Sequence, residues 1–411
     1  MRHTPFIVAS VLLVARVARA GGFHIDEQDA RATGRAGAVT ANPGNGSAIY
    51  YNPGGVGTLS GLHVDVGASL VAPSASFKSA VTGAETKADD KVSLLPQAYV
   101  TYRLSELLAV GLGFNAPFGL SIRWPETSPG RTNVRDIELR SFFIMPVAAI
   151  NLSRWVPGLA IGAGLDLVPA SVRLERDILF GSEVANVALS GTAFGVGARG
   201  GIVYRPEGLE FLAFGVTYRS PVKLNVDGEV NFTASPAVRP NLPPDGDAKT
   251  SVTLPQRLDF GVAVDFTPEW ELELDVNWTG WSTFESLRLE LPAGQTSVSE
   301  KNWRDTVTIR LGTEATIARM WSGRLGFAWD RTPVPATTLD FQLPDANRFL
   351  LFAGAGASFT RTFRADLGAL YIPTVHQTTA TEDPFRPPIK GRFEASAFVL
   401  NATVGLAFDP L

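Results

Sequence analysis

Four basic side chains stand where a strand-rich chain can offer them to an anionic head group: Arg173 and Arg176 in one run, Lys301 and Arg304 in another. Arginine suits a carboxylate because its planar fork donates two parallel hydrogen bonds, while lysine supplies a point charge. Strand side chains alternate between faces, so Arg173 and Arg176 cannot share one, and at most one of that pair points inward. All four also fit the plainer role of solvated rim residues. No other chemistry gathers. Gly195-Val-Gly197-Ala-Arg-Gly200 matches G-x-G-x-x-G, but it runs on into the strand "GIVYRP", whereas a dinucleotide loop must open a helix. His24, His63 and His376 have no metal-ligand spacing. There is no G-x-S-x-G. Glu271 and Glu273 are two apart, as solvated charges on the wet face of a strand are. The chain has no cysteine, which excludes disulfides, thiolate metal sites and a Cys nucleophile. The residues therefore point to no enzyme, no cofactor and no metal.

The elements that must position these residues are strands. In "LDFGVAVDF", Leu258, Phe260, Val262, Val264 and Phe266 share a face. In "WELELDVNW", Trp270, Leu272, Leu274, Val276 and Trp278 share one, and Glu271, Glu273, Asp275 and Asn277 the other. Period two over such lengths means a strand with one oily and one wet face. The two tryptophans are separated by roughly 26 Å along the strand, or about 20 Å of depth at a tilt near 40°. That is close to the height of the apolar band between the aromatic girdles of a membrane barrel. Fourteen strands can be read between residues 62 and 408, the third at 106–122 and the seventh at 210–231, with short and long connections alternating without exception. An even count with short turns on one side describes an up-and-down barrel whose oily side meets lipid. The expected fold is thus all-β: a 14-stranded antiparallel transmembrane β-barrel. The last strand agrees, with Phe398, Leu400, Val404, Leu406 and Phe408 on one face; Asp409, Pro410 and Leu411 follow it.

Length and charge bound the rest. A chain of 411 residues could hold two or three soluble domains. Its charged share of 18% is low for that, and a net charge of -4 argues against a nucleic-acid partner. Residues 1–20 read as a secretory signal peptide, with Arg2, an apolar run from Phe6 to Ala15 and Ala18-Arg19-Ala20 at the cleavage site. Residues 61–411 are the barrel. Residues 21–60 lack long alternation and carry too little apolar surface to fold alone. They are expected as a short hatch, a plug leaning on the polar lumen, with a short helix in "DEQDARATGRAGAVTAN". Within the third strand, Pro117 cannot donate to a ladder and Gly119 weakens it, so "GFNAPFGLS" is either a rim feature or a kink that opens a side window.

Four stretches resemble the FadL/TodX family of outer-membrane transporters. They are "GGFHIDEQDARATGRAGAVTANPGNGSAIYYNPGG", "NAPFGLSIRW", "LPQRLDFGVAVDFTPEWELELDVNWTGWSTFESLRLE" and "NWRDTVTIRLGTE" with "DRTPVPATTLDFQLPDANRF". The resemblance implies a barrel in the bacterial outer membrane, plugged by the N-terminal hatch and acting as a monomer. It implies passive uptake of long-chain fatty acids or other hydrophobic small molecules. These would be caught by outer loops, held in an internal apolar pocket and released sideways into outer-membrane lipid at the kinked third strand. The family's Asn-Pro-Ala gating turn falls on Asn52, Pro53 and Gly54, where glycine implies a looser turn. Its kink falls on Ala116, Pro117, Phe118 and Gly119. Its basic ligand contacts fall at Arg176 and Lys301, with Arg173 and Arg304 as alternatives. The competing readings are a structural or adhesive outer-membrane barrel and a general porin.

Overall fold

The computed structural model describes residues 21–89, 91–379 and 389–408. The expected leader at 1–20, the middle of the loop at 377–390 and the tail Asp409-Pro410-Leu411 lie outside the described residues. Fourteen antiparallel staves form the wall. They are β1 (Leu62–Ser79), β2 (Ser93–Arg103), β3 (Leu108–Asn115 and Gly119–Arg123), β4 (Asp136–Ser141 and Phe143–Asn151) and β5 (Leu159–Phe180). Next come β6 (Glu183–Tyr204), β7 (Leu212–Arg219 and Val222–Thr233), β8 (Gly246–Leu254 and Arg257–Thr267) and β9 (Trp270–Thr279 and Ser286–Glu290). The last are β10 (Thr296–Glu300 and Thr306–Ala318), β11 (Trp321–Asp330), β12 (Arg348–Ser358), β13 (Phe363–Thr378) and β14 (Gly391–Phe408). A short segment, Glu85–Lys87, folds back onto β1. Pairing runs stave to stave and closes where Leu62 meets Phe408 and Ser79 meets Gly391. Closure removes the free edges that hydrocarbon would penalise, save for one stretch of β2 facing β3.

The faces fall as their alternation dictates. Phe260, Val262, Phe266, Trp270, Leu274 and Val276 are exposed on the outside, while Asp259, Glu273, Asp275 and Asn277 are buried within. Phe398, Leu400, Val404, Leu406 and Phe408 are likewise exposed. Phe266 stacks on Trp270 at the short-turn end, their rings 4.7 Å apart, as part of the lower aromatic belt. Two expectations need correction. Loop lengths do not alternate without exception: β5 and β6 meet at the long-loop end in a two-residue turn, Gly181 with φ +61°, because both strands continue as one tall hairpin. Nor are the staves all continuous. β3, β4, β7, β8, β9 and β10 are each broken once, at residues such as Pro117, Phe142 and Pro221.

Residues 21–60 lie inside this wall and are almost wholly buried. Asp29 caps a helix, α1 (Ala30–Gly34), by accepting from Ala32 N. A second helix, α2 (Ala48–Tyr51), leads into a 3-10 turn at Pro53–Thr58. Helices this short are unstable alone. Wall glycines admit their backbone: a Cβ at Gly215 would strike Thr40, at Gly312 Arg35, at Gly326 Ala36 and at Gly368 Ala30 and Gly34.

Candidate functional site: a wall gap, an apolar pocket and a plug

β2 and β3 are paired only from Ala98 opposite Phe114 to Arg103 opposite Ala109. Beyond Asn115 the third stave turns inward. Pro117 presents no N–H, its carbonyl accepts from Ile25 N at 2.8 Å, and Gly119 N donates to Phe23 O at 3.1 Å. His24 and Phe118 form a bridge between these bonds. The bent stave has therefore exchanged its neighbour in the wall for the N-terminal segment. Ser93–Gln97 of β2 has no ladder partner in β3, a gap of roughly 16 Å along the strand. Asp89 N donates to Arg123 O at 2.8 Å above the gap and re-closes the wall. Pro96, which also lacks an N–H, lies on the open stretch. Non-ladder backbone at this depth is tolerated where it lines a cavity. Such a cavity is present: about 730 Å³, bordered by Leu94, Pro96, Phe118, Leu139 and the N-terminal residues Phe23 to Glu27.

Phe23 borders this cavity and a second one of about 120 Å³. The smaller pocket is lined mainly by apolar side chains, among them Leu120, Val172, Leu189 and Trp303, and one of its few polar groups is Lys301. Phe23 packs against Trp281 at 4.9 Å, Trp303 at 5.7 Å, Phe118 at 6.0 Å and Phe284 at 6.2 Å between ring centroids. Each such pair contributes about 0.5–1.5 kcal/mol beyond its buried area. A third cavity, about 360 Å³, lies toward the long loops beside Phe77, Leu174, Leu287, Arg176 and Lys390.

The four candidate cations separate. Arg176 faces inward, borders the outer cavity and has a buried Nε with no acceptor. Arg173 points to the outside, more than half exposed at 51% and ion-paired with Glu175. Parity thus sets Arg173 apart from the interior, as a regular strand requires. Lys301 is buried beside the inner pocket, but its ammonium donates to Asp340 Oδ2 and Gln342 Oε1, both at 2.8 Å. Arg304 is exposed, and its backbone N–H donates to Pro333 O. So Arg176 and Lys301 border the interior cavities, whereas Arg173 borders only a groove on the outer wall, beside Glu138 and Asp227, and Arg304 borders neither interior cavity. Asp340, Gln342 and Phe23 were missed in the sequence. They lie in stretches that carry the family likeness, but nothing in their own pattern marks them.

Paired charges fasten the plug. Glu271 and Glu273 are not solvated: both hold the fully buried Arg35, Glu273 at 3.2 Å. Asp275 accepts from Thr40 Oγ1 at 2.6 Å, and Arg310 donates to Ala36 O at 2.7 Å. Burial works to raise the pKa of Asp26, but Arg257 and Arg310 outweigh it and hold the carboxyl far below its usual range. Burial pushes Glu27 up to about 7, helped by the charge of Asp26, and holds the adjacent His24 down at about 3. Gly22 N donates to Asp345, on the loop after β11, at 3.1 Å, and burial pushes this carboxyl up to about 7. In the Asn52-Pro53-Gly54 turn, Asn52 donates to Thr40 O and Ile202 O and accepts from Gly54 N. Gly54 also has a packing reason. A Cβ there would press on backbone atoms of Gly201, Val203 and Ala160, so the glycine lets the turn sit against the wall.

The chain matches the family described as outer membrane protein transport protein (OMPP1/FadL/TodX) over residues 11–408. A long-chain fatty acid transport protein of Salmonella typhi is 24% identical over 405 residues, covering 89% of this chain and 90% of the relative. A 47 kDa outer membrane protein of Pasteurella multocida is 26% identical over 430 residues, covering 97% and 98%. Among solved structures, a Pseudomonas aeruginosa FadL homologue superposes with a TM-score of 0.83 at 18% identity, covering 94% of this chain and all of the other. The Ralstonia pickettii toluene transporter TbuX gives 0.73 at 17% identity, covering 92% and 98%. At such identities the structures speak for the fold alone.

Proposed function

The chain belongs to the OMPP1/FadL/TodX family of non-enzymatic outer-membrane transport proteins, and from that premise we propose a route by which it takes up hydrophobic small molecules, fatty acids or hydrocarbons. The leader at 1–20 is removed on export, and the mature chain works as a monomer. A ligand enters the outer cavity, where apolar side chains and Arg176 receive it. It moves to the pocket beside Trp303 and Lys301. Displacement of Phe23 joins that pocket to the larger cavity, and the ligand leaves through the gap between β2 and β3 into the membrane. Asn52, Pro53 and Gly54 hold the lower part of the plug while its first residues move. Transfer of apolar surface out of water, worth about 25 cal/mol per Å², supplies the driving force.

The observation that carries this reading is the exchange of partners at Pro117–Gly119. The residues that leave the gap in the wall are hydrogen-bonded to the segment carrying Phe23, so gap and pocket share one mobile part. The test is whole-cell uptake of labelled oleate and labelled toluene, with and without the protein. It is repeated with Pro117→Val, Phe118→Thr and Gly119→Val combined to restore the ladder. Uptake of at least one of the two should require the protein and fall sharply in the variant. Equal uptake with and without the protein would return the structural or adhesive reading, and unchanged uptake by the variant would remove the lateral exit.

A further inference from the structure

Lys301 supplies the ammonium of the inner pocket, and this protein has already given it a counter-ion. Asp340 Oδ2 and Gln342 Oε1 accept from Nζ at 2.8 Å each, and all three residues border the pocket. The carboxylate is held in place: its Oδ1 accepts from Gln342 N at 2.9 Å, and Asn133 Nδ2 donates to Oδ2 at 3.4 Å. Asp340 and Lys301 are both about 95% buried. We propose that Asp340 is the specificity-determining residue of the inner pocket, occupying the place a ligand carboxylate would take and so restricting the pocket to uncharged apolar ligands.

Three physical points support this assignment, which rests on the transport reading above. An ion pair of zero net charge offers an entering anion no compensating charge, and leaving a buried carboxylate unpaired is costly. Beyond Lys301, the pocket wall is dominated by apolar side chains such as Leu120, Val172, Leu189 and Trp303, which suits hydrocarbon. Its volume of about 120 Å³ is near that of the engineered apolar cavity of about 150 Å³ that takes up one benzene. A single aromatic ring is the ligand size this space accepts before Phe23 moves. The guanidinium of Arg176, in the outer cavity, has no such counter-ion among the described residues. Charge selection therefore operates at the inner pocket.

The test uses a matched pair of probes, p-xylene and 4-methylbenzoate, which differ by a methyl against a carboxylate. Binding to the full mature protein in detergent is measured by equilibrium dialysis against empty micelles. Asp340→Asn keeps the shape of the residue and removes the counter-charge of the ammonium; Asp340→Ser removes that charge with a smaller group should the first fold poorly. Both should bind 4-methylbenzoate at least about tenfold more tightly than the unmodified protein, a lower bound for one charge pair at a buried site, with p-xylene affinity changing far less. Adding Lys301→Met to Asp340→Asn should abolish the gain. Equal affinity of the unmodified protein and both Asp340 variants for 4-methylbenzoate, with p-xylene still bound, would overturn the assignment and leave the transport reading standing. Failure of every form to bind either probe would overturn both.

Discussion

Replacing Arg35 by methionine removes the guanidinium that ties the plug to the wall, and the loss can be followed contact by contact. Glu314 keeps Arg31 and Arg324, each at 2.8 Å. Glu271 also loses Arg35, but it is partly exposed and keeps the amide of Asn42. Glu273, fully buried, keeps the N–H of Ala41 at 2.6 Å but loses its cation. One buried carboxylate is thus stripped of its partner, which costs about 3–5 kcal/mol. If the wall holds its shape, that cost falls on the seated plug and raises its opening constant by about two to three and a half decades. The natural chain has no cysteine, so a single Ser47→Cys, at a buried position bordering α2, reports opening through its rate of maleimide labelling. Folded barrel is selected beforehand by its resistance to detergent. Labelling should accelerate by about two orders of magnitude or more when Arg35→Met is added. An unchanged rate in folded protein would refute the view that this cluster secures the plug.

Leu274→Arg, on the lipid face near mid-strand, should destabilise the barrel by about 2–4 kcal/mol, read as a lower folded fraction in bilayers. Gly111→Val should displace Ile49, whose Cδ1 lies 2.7 Å from the site of the new Cβ, at a cost of about 1–3 kcal/mol to plug seating, measured by the same cysteine labelling. Burial raises Glu27 and Asp345 to about 7 when the plug is seated and holds His24 down at about 3; the two carboxyls outweigh the one imidazole, so the seated state holds protons more tightly than the released one. The stability the carboxyls confer is complete below about pH 4 and fades as pH rises through about 7. A fluorine label on Phe23 should accordingly show more released N-terminus at pH 8 than at pH 5, and Asp345→Asn should flatten that response.

Much of this architecture could be read from single strands, because a side-chain period of two needs no knowledge of what lies across the barrel. "WELELDVNW" announces its oily and wet faces unaided, and the same parity separates Arg173 from Arg176. The strand-three kink was legible for a local reason too, since Pro117 cannot donate. What was hidden depends on distant partners. Glu271 and Glu273 looked like solvated charges because Arg35 is more than two hundred positions away along the chain. Lys301 looked available because Asp340 reaches it only once the loop after β11 folds inward. The fit of Gly54 against the backbone of Gly201, Val203 and Ala160 is likewise invisible in the local sequence.

The bare patches of wall at Gly215, Gly312, Gly326 and Gly368 are a mould, and the peptide at Ala30, Gly34 to Ala36 and Thr40 is its cast. A cast fits one mould. Grafting a foreign N-terminus onto this barrel should leave the pore ajar unless those four positions are recut with it, so stopper and cylinder are constrained to change together through their descent.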